Sequence, residues 1–415
     1  MRLIRTLLDL RRCKRGNALI LVAATAPLLV AASAIGLDTI QLTLAKRQLQ
    51  RTADSAAMAG AHALLMNQEA PAGVDRDLAI NNLMVLSSPR VVENAPATGP
   101  YAGDVRAVRV VLRAQRVVPF MSFFTGSSMD IEVEATAAAM PDGNYCIVSL
   151  ENTTASGVTF SGSSDVNLGC GVATNSTGPE AIKVNGNPDV IASPIGAVGG
   201  VPPASSFAGT PVMIPYGPPQ QDPFGYLGDP VVPANCNAEL KVGTQDDITI
   251  DPGCYRGMDV KGKLTLRPGT YTIDGGTLSF GSQAEVRGTG VTFVLTSSNA
   301  VSNPSSIATW DMNGGAYMNL SAPTSGTYSG VLFYQDRRAP LTNSHINGNS
   351  SSVLDGAFYL PSHELTFNGN TGMTVQCMRL VARRVHFSGN SNVVNTCPPG
   401  APIRGFEGIM VRLVG

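Results

Sequence analysis

Charge is scarce in this chain of 415 residues: Asp, Glu, Lys and Arg together make up 14%, against roughly 25% in an ordinary soluble domain. Lysine is scarcer still, six residues against 23 arginines, and no long basic run follows residue 15. A nucleic-acid-binding surface needs a basic face, so that class is excluded. Also missing are a Cys-x-x-Cys pair, a Gly-x-Ser-x-Gly elbow, a Walker A loop and a dinucleotide fingerprint. Thiol-redox, serine-hydrolase and nucleotide-binding chemistries lose their usual signatures with them. The four histidines, His62, His345, His363 and His386, show no metal-ligand spacing. No cofactor or metal is expected. What is abundant is glycine (44) and proline (28), within a composition that is 43% apolar. Such a chain is rich in turns yet has enough apolar residues to fill a core, and its length leaves room for two or three domains.

The near-neutral net charge of −1 hides an uneven distribution. Six basic residues (Arg2, Arg5, Arg11, Arg12, Lys14, Arg15) precede a run of 22 residues, Gly16 to Leu37, without any charge. A helix of about 20 such residues, at ~1.5 Å each, spans the ~30 Å of a bilayer's hydrocarbon. Two other readings stay open: a signal peptide cut after Ala32-Ser33-Ala34, and a buried soluble helix. The run is longer than the ~7–15 residues of a cleavable signal core, which favours a retained anchor. The basic flank then keeps residues 1–15 in the cytoplasm and puts everything after Asp38 outside. Seven cysteines become six plus one: Cys13 inside as a thiol, and an even set outside, where disulfides form.

Helical periodicity continues through residues 38–66. The stretch Gln48–Ala61 is dense in small residues, which suits close packing against another helix, although an Ala-rich helix of high propensity reads the same way. Arg15-Gly16-Asn17, the apolar span ending in Gly36-Leu37-Asp38, then Lys46-Arg47-Gln48-Leu49-Gln50 and Ala53-Asp54-Ser55-Ala56-Ala57-Met58-Ala59-Gly60-Ala61 closely resemble the N-terminal region of TadG-like proteins of the tight-adherence (Tad, Flp) pilus-assembly system. The resemblance covers about residues 11–65. It implies a single-pass protein of the bacterial inner membrane, N-terminus in the cytoplasm and bulk in the periplasm, with pilus-assembly membrane proteins or pilus subunits as partners. Pseudopilins of that system carry Glu five residues after the cleaved Gly, where this chain has Leu21. The Asp-x-Ser-x-Ser metal site found in some of these proteins is also missing.

Residues 67–140 read as a small α+β module, with a helix over 74–86 and Val-rich strands over 104–118 and 130–135. Arg106, Arg109, Arg113 and Arg116 recur at helical spacing, but the valines among them favour a strand with a solvated charged face. An anionic partner or a lipid headgroup is the sharper alternative.

Beyond residue 140 a short signature repeats: apolar, polar, apolar, Asn or Ser, Gly. It occurs at Val158-Thr-Phe-Ser-Gly162, Ile182-Lys-Val-Asn-Gly186, His345-Ile-Asn-Gly348, Leu365-Thr-Phe-Asn-Gly369 and Val385-His-Phe-Ser-Gly389, with looser copies around Gly262 and Gly281. A second pair, Ile250-Asp-Pro-Gly-Cys-Tyr255 and Leu266-Arg-Pro-Gly-Thr-Tyr271, recurs after 16 residues. Glycine turns at a period near 20 predict a right-handed parallel β-helix, a β-solenoid, over 141–400; a β-sandwich is the competing fold. The predicted fold is therefore mainly β: transmembrane helix 16–37, helical stalk 38–66, α+β module 67–140, β-helix 141–400, and a strand or tail over 401–415. Cys146 and Cys170 are 24 residues apart, like Gly162 and Gly186; Cys377 and Cys397 are 20 apart, like Gly369 and Gly389. Residues one coil apart stack at about 4.8 Å, within reach of a disulfide. Stacking thus selects Cys146–Cys170 and Cys377–Cys397 and leaves Cys236–Cys254. Eleven of the 28 prolines fall between Pro188 and Pro233. They mark an excursion over 188–235, either an ordered crossing of the solenoid or a mobile loop.

For chemistry, Asp246, Asp247, Asp251, Asp259 and Asp274 are the candidate acids, but acidic residues are common at turns. Gln335-Asp336-Arg337-Arg338 reads as a polar turn. The expected role is structural: a membrane-anchored pilus-assembly component presenting a rigid β-helix to proteins, cell wall or surface glycans. A tethered carbohydrate-active enzyme, a polysaccharide lyase or hydrolase, is the alternative.

Overall fold

The computed structural model describes residues 15–82, 84–126, 128–347, 352–369, 373–375, 379–390, 392–395 and 406–415. It is mainly β, with one long apolar helix near the N-terminus and parallel sheets. The chain divides into two compact units, residues 1–140 with 411–415, and residues 141–410.

The first unit begins with helix α1 (Arg15–Leu65), which runs unbroken through Pro27 and through the expected boundary at residue 37. One face of it is made of small residues: Ala34, Asp38, Ala45, Leu49, Ala53, Ala56, Ala57 and Ala61 are all buried. What covers that face comes from the same chain. Helix α2 (Ala70–Asn81) and an antiparallel sheet of β1 (Val91–Asn94), β2 (Ala107–Arg116) and the first part of β3 (Met129–Ser149) pack on it, with Val74, Val108, Val110, Leu112, Ile131 and Val133 in one core. The small-residue face is therefore filled from within, not left for a partner's helix. Close approach is the physical reason: a Cβ on Gly73 would stand 2.4 Å from the carbonyl oxygen of Ala59. α2 starts four residues before the expected position, with Pro at its first turn, where the missing N–H costs nothing. Residues 107–116 are a strand, as the valines predict, and three of the arginines are paired along it: Arg106 with Asp104, Arg109 with Glu93 and Glu134, Arg113 with Glu132. A short helix that no sequence pattern announced, α3 (Pro119–Thr125), follows β2. Val414 N–H donates to the Thr136 carbonyl, so residues 411–415 complete this unit.

The second unit is built from three ladders of parallel strands that the chain visits in rotation. From residue 240 onwards it passes through Leu240–Val242 in the first ladder, Asp247–Ile250 in the next and Gly253–Tyr255 in the last. It then returns to Met258–Val260, paired on Leu240–Val242, and the cycle repeats. Alternate side chains point inward and are buried, among them Val242, Val260, Leu264, Leu278, Phe280, Val286, Phe293, Leu320 and Leu354.

Stacking order and chain order differ. The final strands do not end the stack: Leu380 pairs with Ile147, Val385 with Val158, Phe387 with Phe160 and Val393 with Val166, each in parallel register. Residues 145–197 thus continue the stack beyond residue 395, and residues 198–239 carry the chain back to the other end. This Pro-rich return is ordered; it contributes Met213–Ile214 to one ladder and seats Phe224 and Leu227 among Tyr334, Tyr359 and Val381 on the outside of the strands. Inside, the reversal places Phe160, Phe387 and Phe367 in one column, with ring centroids 5.3 Å and 5.0 Å apart and nearly parallel planes.

Candidate contact surfaces

The turn glycines gather in the seam between the two chain segments. Gly369 pairs with Gly389, and Gly162 with Gly186. Gly389, Gly162 and Gly186 have φ of +70°, +76° and +85°, and a Cβ on Gly162 would meet the Gly389 carbonyl oxygen at 2.8 Å. Positive φ and close backbone approach both require glycine here. The looser copies are offset: Val260 lies opposite Phe280, so Gly262 and Gly281 are one position out of register. The 16-residue repeat holds for Ile250 opposite Leu266 and then slips, with Tyr255 opposite Ile273. Among the cysteines, Cys146 and Cys170 stand at disulfide distance with Cα atoms 5.7 Å apart, and Cys236 and Cys254 with Cα atoms 4.5 Å apart. Cys13, Cys377, Cys397 and Gly348 lie outside the described residues.

The Pro-rich return is clamped by residues that the sequence offered only as a polar turn. Arg337 donates from one guanidinium nitrogen to the Leu227 carbonyl at 2.6 Å, from another to the Phe224 carbonyl, and through Nε to the Tyr359 hydroxyl at 2.5 Å. Tyr359 in turn donates to Asp222 at 2.8 Å. Asn175 closes a two-way bond with the backbone of Gln220, and Tyr334 donates to the Gly228 carbonyl at 3.2 Å. Burial pushes the Tyr334 phenol up to about 12 and that of Tyr359 higher still, so both hydroxyls stay protonated donors. Asp336 is fully buried, yet bonds from Arg338 and Thr296 outweigh that burial and hold its carboxyl below the ordinary range.

On the outer side of one ladder, two polar rows run across the seam. Lys183, Thr159, His386, Thr366 and His345 form the first; Asn185, Ser161, Ser388 and Asn368 form the second. Ser161 Oγ lies 2.9 Å from His386 Nε2, but its hydroxyl also donates to the Phe387 carbonyl at 3.1 Å. Rows of hydroxyl, amide and imidazole groups at strand spacing suit hydrogen bonding to an extended polar partner.

The candidate acids have local roles. Asp246 accepts the Gly243 N–H at 2.6 Å, Asp251 pairs with Arg267 at 3.0 Å, Asp259 with Lys261 at 3.1 Å, and Asp274 accepts the Ser298 N–H at 2.6 Å. Asp247 is exposed at the start of its strand.

His363 is a buried titratable group, held between Gln335 and Ser344, with burial lowering its pKa to about 4. An unfolded His363 takes up a proton near pH 6.5, which the folded one refuses until about pH 4. Its contribution is thus complete above pH 6.5 and is lost as the pH falls from there towards 4, on the order of 3 kcal/mol in total. Denaturation of the wild type at pH 7 and pH 4.5 should show that loss, and His363→Gln should show much less of it.

These features describe a mainly β protein headed by a single described helix long and apolar enough to cross a membrane. Residues 16–63, nearly all of α1, match the Tad family model, described as Flp pilus-assembly TadE/G-like. The chain therefore carries a TadE/G-like N-terminal region. No curated protein and no solved structure matches the chain.

Proposed function

We propose that this protein is a membrane-anchored structural component of a tight-adherence pilus system that presents an extracytoplasmic β-helix to pilus subunits or to the surface being colonised. The family match on residues 16–63 carries the reading. The uncharged run 16–37 crosses the inner membrane, the basic residues before it stay in the cytoplasm, and the bulk lies outside. The rotation of the chain through three parallel ladders supports a closed solenoid, and parallel crossovers of this kind are right-handed. In an oxidising compartment the close cysteine pairs 146–170 and 236–254 form disulfides, with Cys377–Cys397 as the third. The polar rows from Lys183 to His345 are the face offered to protein or glycan. The local roles of Asp246, Asp251, Asp259 and Asp274 favour this assembly role over a carbohydrate-active enzyme.

Cells producing the chain without residues 141–410 should lose surface attachment and pilus output while the truncated protein still reaches the membrane. Wild-type attachment and pilus output in those cells would reject the proposal.

A further inference from the structure

We propose that α3 is a second membrane contact, embedded in the acyl chains of the outer leaflet beside the spanning helix. This rests on the reading of residues 16–37 as a membrane span. The segment Val117–Thr125 carries no charge, and its apolar side chains are exposed to solvent: Phe123 is 83% exposed and Val117 65%, with Phe120 and Met121 about two-fifths exposed. Its position is fixed at Asp38, whose carboxylate is buried and accepts the Phe120 N–H at 3.4 Å and the Met121 N–H at 2.6 Å. Asp38 is the first charge after the apolar run, so α3 is tied to the level at which that run ends.

From there α3 reaches along the span, not away from it. Phe120, Met121 and Phe123 line one groove of about 650 Å³ together with Val30, Ala31 and Pro27 of α1, and the groove is almost wholly apolar. Pro27 lies eleven residues before Asp38, about 16 Å along a helix at ~1.5 Å per residue. If Gly16–Leu37 sits in hydrocarbon, side chains sharing a groove with Pro27 sit there too. The exposed residues of α3 are continuous with the exposed band of α1, in which Leu28, Leu29 and Ile35 are each at least 60% exposed. One apolar surface therefore includes both helices, and lipid, which covers the α1 part, covers the α3 part as well. A short helix with an uncharged aromatic face is suited to such a partly immersed position.

The test uses the full chain in proteoliposomes made with lipids brominated on their acyl chains. The native tryptophan, Trp310, is buried in the strand body and serves as an unquenched reference. Two single variants place a second tryptophan, Leu29→Trp in the span and Phe123→Trp on α3; both replace exposed side chains, and an unchanged Trp310 emission shows that the fold is intact. The expected result is that the added tryptophan loses most of its emission in both variants. Quenching of Leu29→Trp without quenching of Phe123→Trp overturns the proposal and leaves the span standing; it is also the outcome if a second copy or a partner's helix covers α3. No quenching in either variant removes the span, and the proposal with it.

Discussion

Replacing Phe387 by alanine should destabilise the strand body by about 3–5 kcal/mol, the usual cost of deleting a fully buried phenylalanine. The ring is fully buried and stacked between Phe367 and Phe160. Its loss leaves a cavity in the column and removes one of the contacts that tie residues 379–395 to residues 145–167. Chemical denaturation of the wild type and of Phe387→Ala reads the difference. Phe280→Ala, in a different part of the stack, is the comparison: it should lower stability without selectively loosening the seam. Hydrogen exchange in strands 158–162 and 182–186 should therefore speed up in Phe387→Ala and not in Phe280→Ala. Equal exchange in both would mean that the seam is held by its backbone ladder alone.

The second large effect concerns the Pro-rich return. Arg337→Ala removes donors from two carbonyls and from Tyr359, and bonds made by a charged donor contribute about 1.5–3 kcal/mol each before solvent screening. Arg337 and Asp222 are each about a quarter exposed, so the sum is discounted to about 3 kcal/mol. The loss should be local. Limited proteolysis should cut between residues 198 and 236 at least ten times faster in Arg337→Ala, since ~1.4 kcal/mol is already a factor of ten. Arg337→Lys should not rescue it, because a single ammonium cannot reproduce the guanidinium fork across Leu227, Phe224 and Tyr359. Cleavage at the wild-type rate would show that Phe224 and Leu227 hold the return by packing alone.

Much of the architecture was legible because it is periodic. The glycines at 162, 186 and 389 must repeat where the backbone turns with positive φ, and apolar alternation marks the strands between them. Which copies are neighbours was not legible, since a parallel ladder edge has the same hydrogen-bonding pattern whatever strand joins it. A hint was present all the same: phenylalanine holds the same motif position in the copies at 158, 365 and 385, and these three are the ones that stack. Arg337 escaped notice for a related reason. Its carbonyl partners, Leu227 and Phe224, lie more than a hundred residues earlier, and no local pattern links a turn to carbonyls that far away. Helix α3 is too short to show a period, and its anchor, Asp38, reads in sequence only as the charge that ends a hydrophobic run. The small residues of α1 did signal close packing, but small size says nothing about whether the neighbour is another chain or the same one.

The mismatch between stacking order and chain order has a consequence for synthesis. Strands 145–149 and 158–162 are among the first of the body to emerge, yet the strands they pair with, 379–389, are among the last. The first unit likewise waits for residues 411–415 to reach Thr136. Until then a ladder edge with unpaired N–H and C=O groups stands open, the kind of edge that recruits other strands. Nascent chains of this protein therefore pass through a long interval in which they can add to one another edge to edge. A chaperone that occupies that edge during synthesis would decide how much of the protein folds.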